Sequence, residues 1–183
     1  MSSKMIEWGA DPNIQDSDGQ TPLHYAVWEG HEEIAGLLLE NEADPMVRDS
    51  RGEAPLAYAA AKGRLNLMKL LFEHGADVHA EGRKGFAALH RAANGGDAES
   101  VKWLLECGVK VDQPAGPSHS TPLQLAACGA HVEAVGLLIG HGADVNSVDV
   151  NDQIALHGVA YASAEDDTSP QDMARTARLL LEN

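Results

Sequence analysis

The sequence predicts an all-α protein built from stacked copies of one small helical unit, and two observations support this fold class. A motif first seen as Thr21-Pro22-Leu23-His24 keeps returning along the chain, which is typical of stacked repeats and would not arise from a single globular core. Only 4% of residues are aromatic while 44% are apolar, so the core must consist mainly of Ala, Leu, Ile and Val. Such small side chains allow helices to approach closely.

The starting positions of the motif set the expected limits of the repeats. The starts are Thr21, Ala54, Ala87, Thr121 and Ile154, which by subtraction lie 33, 33, 34 and 33 residues apart. We therefore expect one domain over residues 1–183, with a partial N-terminal repeat at 1–20, repeats at 21–53, 54–86, 87–120 and 121–153, and a C-terminal repeat at 154–183.

Each unit is expected to contain a turn and two helices. In the first unit the turn lies at residues 16–19, where Asp is a turn former, as it is at the equivalent Asp49 and Asp149. Thr21 and Pro22 then provide an N-cap hydroxyl and a proline at the first helical position, which predicts a helix through Glu29. Apolar residues at helical spacing predict a second helix over residues 32–41.

The second helix is expected to end at a residue in the left-handed conformation. Gly75, Gly108 and Gly142 occupy this position in three units, and glycine adopts that conformation without strain. The first unit has Glu42 there, which should cost about 1 kcal/mol if the backbone is unchanged.

These motifs resemble the ankyrin repeat family over nearly the whole chain. The matching segments are Thr21-Pro22-Leu23-His24, Gly30-His31, Leu37-Leu38-Leu39, Gly75-Ala76-Asp77-Val78 and Gly142-Ala143-Asp144-Val145-Asn146. The resemblance implies a solenoid of paired antiparallel helices with β-hairpin or turn fingers between pairs. It also implies a concave binding surface formed by the fingers and the first helices.

Three departures from the family pattern stand out. Residues 4–11 match the end of a second helix and residues 179–183 lack the closing glycine, which suggests a segment of a longer array or a degenerate natural cap. One residue is added between Asp112 and Thr121. The last unit carries an acidic insertion at about residues 163–171, after which Ser169 and Pro170 are expected to start the final helix.

Composition argues against several classes of partner. The formal net charge of −15 would repel a phosphate backbone, so nucleic acid is not expected as a partner. No segment has the roughly 18 consecutive apolar residues of a membrane span. Cys107 and Cys128 fall at different repeat positions and form no disulfide framework or metal-ligand pattern. These features favour a monomeric cytoplasmic protein.

The sequence contains no pattern typical of a metal, cofactor or catalytic site. His24, His90 and His157 occupy the fourth motif position, where the ankyrin resemblance implies that the imidazole bonds to the backbone of the neighbouring finger. Equivalent residues of successive units lie about 10 Å apart, one helix-pair spacing. That is too far to share a zinc ion. No nucleophile elbow, phosphate-binding loop or zinc-protease motif occurs.

Positions that the repeat leaves free are the candidates for partner binding. The residue seven beyond each motif start should lie along the concave face, and this column consists of Trp28, Ala61, Asn94, Cys128 and Tyr161. Trp28 and Tyr161 are candidate anchors, since aromatic residues are enriched among binding hot spots. The alternative for Trp28 is that it covers a neighbouring helix. Trp103 falls on a leucine position and is expected in the core.

Basic residues cluster in the second and third units. Six of the 13 are expected on the concave side, namely Arg48, Arg51, Lys62, Arg83, Lys84 and Arg91. We interpret this cluster as a recognition site for an acidic segment, a phosphorylated segment or a free C-terminal carboxylate. The alternative is that arginine is merely a tolerated, solvated residue in the fingers.

The sequence therefore favours a non-enzymatic module that binds a protein or peptide on its concave surface. A second hypothesis is a targeting or architectural segment of a larger enzyme or effector. A third, an enzyme in its own right, would need a cleft beside the 163–171 loop. Asn146 lies in a sequence that asparaginyl hydroxylases modify in ankyrin repeats, but the same residue also caps turns in unmodified repeats.

Overall fold

The computed structural model describes residues 9–162 and 169–183, and this part of the chain contains ten α-helices. They are α1 Pro22–Glu29, α2 Glu32–Glu40, α3 Pro55–Ala61, α4 Leu65–Glu73, α5 Ala88–Gly95, α6 Ala98–Glu106, α7 Pro122–Cys128, α8 Val132–Gly140, α9 Ala155–Tyr161 and α10 Pro170–Glu182. The predicted first unit is matched closely, because α1 has the expected limits and α2 ends one residue before the expected Asn41.

The helices form two layers. Each first helix packs on its second helix and on the first helix of the next unit, so that α1, α3, α5, α7 and α9 form one layer. In the other layer α2 packs on α4, and α8 packs on both α6 and α10. The all-α solenoid that the sequence predicts is confirmed.

The repeat register determines which side chains are buried. One leucine column of the second helices is buried in every unit, and consists of Leu38, Leu71, Leu104, Leu138 and Leu180. The preceding residue in each of these helices is only half-buried, and this column consists of Leu37, Leu70, Trp103, Leu137 and Leu179. Trp103 therefore packs against the core, with its ring edge-to-face with Phe72 at 5.7 Å.

The first helices approach one another through buried alanines. The fully buried ones are Ala59, Ala60, Ala92, Ala93, Ala126 and Ala127. Their small size agrees with the low aromatic content of the sequence and leaves room for close helix contact.

The fingers between units are held by side chains as well as by the backbone. As expected, Asp16, Asp49 and Asp149 are turn formers, and each Oδ1 accepts backbone N–H groups from residues two and four positions later. In the described residues the only β-pairing is two isolated bridges, Glu81 with Ala87 and Ala115 with Ser120. The fingers before α5 and α7 are thus turns closed by single bridges rather than extended hairpins.

Buried histidines connect the helices to the fingers, as the ankyrin resemblance implied. His24 Nε2 lies 3.2 Å from Glu53 O, and His90 Nε2 lies 2.6 Å from Gln113 O. Burial lowers the pKa of both imidazoles, although the bond to the carbonyl oxygen partly opposes this shift. In the fourth unit Gln124 takes the same place, and its Nε2 donates to Ser147 O and Gln153 O.

These histidines should make the fold sensitive to acid. Their folded pKa lies below the ordinary 6.5, so the unfolded chain binds more protons and stability falls as pH drops through 6.5. The double variant His24→Gln/His90→Gln should keep the finger contacts, as Gln124 does, and show a shallower loss of stability between pH 7.5 and 5.5 in denaturant titrations. The exposed His79→Gln is the control, and an equally steep loss in the double variant would contradict this assignment.

Glu42 adopts the left-handed conformation that the sequence predicted, with φ of 67°. Gly75, Gly108 and Gly142 have the same conformation at equivalent positions, with φ between 80° and 97°. Glu42→Gly should therefore raise the free energy of unfolding by about 1 kcal/mol. Thermal or denaturant unfolding measures this, and the reverse change Gly108→Glu should destabilise by a similar amount. A destabilising effect of Glu42→Gly would show that the Glu42 side chain makes contacts that outweigh the strain.

The predicted insertion in the last unit lies mostly outside the described residues, which omit 163–168. Its last two residues, Pro170 and Gln171, belong to α10. Ser169 caps this helix as predicted, because its Oγ accepts the Gln171 N–H at 3.2 Å.

Candidate functional site

A groove of about 280 Å³ opens on the layer of first helices, at the boundary between the first three units. Its lining comes from α1, α3, α5 and the finger before α3, and consists of Trp28, Arg51, Glu53, Ala57, Tyr58, Ala61 and Arg91. We call this the Trp28 groove. The structure thus brings together three of the predicted partner-binding residues, Trp28, Arg51 and Arg91.

Two aromatic rings form one wall of the Trp28 groove. The Trp28 and Tyr58 rings are nearly perpendicular, with centroids 5.4 Å apart, and Lys62 Nζ lies 3.9 Å from the centroid of the Trp28 ring. Trp28 remains 42% exposed despite these contacts. Trp28 therefore covers a neighbouring unit, as the alternative expected, and still presents surface to solvent. Lys62 joins the groove through this cation–π contact.

Tyr58 lines the groove but was not among the partner-binding residues predicted from the sequence. Its hydroxyl donates a short hydrogen bond to Asp49 Oδ2, which ties the groove wall to the finger. Tyr25 donates to Asp16 Oδ2 at 2.8 Å in the preceding unit. Burial alone would raise the pKa of Asp49, but hydrogen bonds from Tyr58 and two backbone amides lower it overall. Burial and the bond to Asp49 raise the pKa of Tyr58. The signal available in the sequence was the Asp-to-Tyr spacing, which is nine residues in both units.

The third unit replaces this Tyr–Asp pair with an ion pair between units. Gly82 and Arg91 stand at the positions that Asp49 and Tyr58 occupy one unit earlier. Arg91 instead forms a salt bridge with Glu53, whose side chain is only 8% exposed. Gly82 makes space for this carboxylate, since a Cβ there would lie 2.3 Å from Glu53 Oε2. Arg91 also stacks over Phe86, 4.8 Å from the ring centroid.

Three of the predicted cations extend into solvent along the second and third fingers. Arg51, Arg83 and Lys84 are exposed, and within the described residues their charged groups form no salt bridge or hydrogen bond. The two fingers are adjacent, because a Cβ on Gly52 would lie 3.5 Å from Arg83 N. The charge of Arg51 thus lies at the Trp28 groove, and the charges of Arg83 and Lys84 lie on the next finger.

Arg48 has a different environment from Arg51. Its Nη1 donates to Gly52 O at 2.9 Å within its own finger and to Glu81 O in the next finger. Gln15, the equivalent residue one unit earlier, donates to Gly19 O and Arg48 O in the same pattern. This position therefore requires a side chain that donates hydrogen bonds to two adjacent fingers, and the neutral amide of Gln15 makes the same two bonds. The presence of Gln15 was the signal in the sequence.

Tyr161 is not part of the Trp28 groove. It lies on α9 in the last unit, is 69% exposed, and does not line the groove. Asn146 is exposed in the finger before α9, where its N–H donates to Asp144 Oδ1 at 2.9 Å.

The repeats, paired helices and fingers agree with those of one known protein family. The family description "Ankyrin repeats (3 copies)" matches residues 3–82 and 89–167. The chain belongs to the ankyrin repeat family. The gap between the two matches contains the 3-10 turn Arg83–Gly85 of this ankyrin-repeat chain. A search of curated proteins gave no match.

Membership of the family gives the broad function. Ankyrin repeats are general protein–protein interaction modules and are typically non-catalytic. No helix in the described ranges, 9–162 and 169–183, is long and apolar enough to cross a membrane. Over the same ranges no three His, Cys, Asp or Glu side chains are grouped so that they could hold a metal ion.

Proposed function

We propose that this ankyrin-repeat chain is a non-enzymatic interaction module whose partner docks on the Trp28 groove and the adjoining finger tips. One observation carries the proposal. An exposed aromatic wall lies beside Arg51, a cation that no described side chain neutralises, in a protein whose net charge is −15. Aromatic and arginine residues in such a setting are the usual centres of protein interfaces.

The charge distribution supports an acidic or phosphorylated segment as the bound element. The free cations of Arg51, Arg83 and Lys84 would attract such a segment, whereas the acidic remainder of the chain would repel a nucleic acid. The groove is also pre-organised, because the Tyr58–Asp49 hydrogen bond and the Arg91–Glu53 ion pair fix its walls before a partner arrives. Fewer groups must then be ordered on binding.

An affinity pull-down with the double reversal Arg51→Glu/Arg83→Glu tests the proposal. The partner retained by the wild-type chain should be lost, with affinity reduced about 100-fold because two attractive contacts become repulsive. Salt should weaken wild-type binding more than binding by the variant.

Arg48→Gln is the matched control, since it removes a positive charge from the same finger while Gln15 shows that an amide can keep the finger contacts. It should retain the partner. Equal retention by the double reversal and the wild type would remove the Trp28 groove from the interface.

A further inference from the structure

We infer that the partner segment contains a bulky apolar residue, which fills the Trp28 groove, next to a run of carboxylates that lies across the second and third fingers. This inference rests on the proposed function and specifies its ligand. It is independent of the identity of the partner protein.

The apolar anchor follows from the shape and lining of the groove. The small side chains of Ala57 and Ala61 line the groove together with the Trp28 and Tyr58 rings. The groove encloses about 280 Å³, which is room for several waters when no partner is bound. A bulky apolar side chain would displace these waters from aromatic and alanine surface, which is favourable.

A run of carboxylates fits the cations better than a single phosphate. Phosphate recognition typically uses several cations that converge on one group. Here Arg51 and Lys84 occupy equivalent places on successive fingers, which are about 10 Å apart in a helical-repeat stack, and Arg83 packs beside Gly52 of the second finger, so that the free cations form a row. Arg91 is already paired with Glu53. Cations spaced along an edge match acidic residues spaced along an extended chain.

A free C-terminal carboxylate is also a poorer match. Such groups are captured by clusters of unpaired backbone amides. In the second finger Asp49 Oδ1 already accepts the amides of Arg51 and Glu53, and Asp49 O accepts the Gly52 amide. The finger beside the groove therefore offers side-chain cations and no cluster of free amides.

A random peptide library selected on the purified full chain tests the inference. The selected peptides should combine one bulky apolar residue with two or more nearby Asp or Glu. In synthetic fluorescent versions, changing the apolar residue to Ala or the acidic residues to Gln should each weaken binding at least tenfold. Amidation of the C-terminus should leave the affinity unchanged.

Filling the groove provides the complementary test. Ala61 is exposed on α3, and Ala61→Phe or Ala61→Met should weaken binding of the peptide at least tenfold while circular dichroism stays that of the wild type. Ala160→Phe, at an exposed alanine of α9, is the matched control and should bind normally.

The outcomes separate the inference from the proposed function. If peptides bind only when phosphorylated, or if amidation of their C-terminus abolishes binding, the inference that the partner presents a run of carboxylates is wrong. Both Ala61 variants could bind the peptide normally while Arg51→Glu/Arg83→Glu loses the natural partner. In that case no apolar residue fills the groove, but the proposed interface at the fingers is supported. If no variant changes capture of the partner, both the inference and the proposed function fail.

Discussion

Replacing Arg91 by Ala should destabilise the fold by about 2 to 3 kcal/mol, because it leaves the Glu53 carboxylate buried without its counter-charge. Glu53 Oε2 has no hydrogen-bond partner among the described residues, so Arg91 supplies the main compensation for burying this group. Arg91 is one-third exposed, which admits some water and brings the expected cost below the roughly 3 to 5 kcal/mol of a fully buried pair. Denaturant unfolding at pH 7 measures the effect.

The double variant Arg91→Ala/Glu53→Gln is the internal control for this result. Removing the buried charge should restore much of the lost stability, since a neutral amide costs far less to bury than an unpaired carboxylate. Additive losses from the two changes would mean that the ion pair does not hold the units together. A loss below about 0.5 kcal/mol for Arg91→Ala, within the usual range for surface substitutions, would lead to the same conclusion.

Leu104→Ala should lower the free energy of unfolding by about 3 kcal/mol, the usual cost of a cavity at a fully buried leucine. Leu104 lies in the middle of the stack on α6, in the leucine column that is buried in every unit. The expected loss of stability is large because the repeat places this position of the second helix in the core.

Leu37→Ala is the matched comparison, because Leu37 belongs to the neighbouring column whose members are only half-buried. It should cost about 1 kcal/mol, since less of its surface is removed from water. Equal losses for the two variants would show that the leucine columns are not distinguished by burial, contrary to the register of the stack.

The fold could be predicted from the sequence because the same local signals return in register. Pro22 starts a helix through its fixed backbone angle, and Gly75 and its equivalents end one through the left-handed conformation. The predicted hydroxyl cap forms at the equivalent Thr121, whose Oγ1 accepts the Gln124 N–H, but not at Thr21, whose Oγ1 instead lies 2.9 Å from His24 Nδ1. Even the exception at Glu42 follows from its position in the repeat. Each signal acts over a few residues, which a linear sequence displays directly.

The candidate site could be predicted only in part, because contacts between units decide which cations are free. Arg48 and Arg51 are equally basic and three residues apart, yet one links two finger carbonyls while the other extends into solvent. Arg91 was expected on the concave side and lines the Trp28 groove, but its charge is already paired with Glu53 of the preceding finger. Tyr58 was overlooked because its role depends on Trp28, which lies 30 residues earlier in the chain.

Hydrogen–deuterium exchange of the chain with and without its captured partner shows which surface the partner covers. Bound partner should slow exchange in the fingers at residues 48–53 and 81–86 and at the exposed ends of α1 and α3. The second helices α4 and α6 should exchange as in the free chain. Protection confined to α4 and α6, or to the units that contain α7 to α10, would contradict the proposed interface.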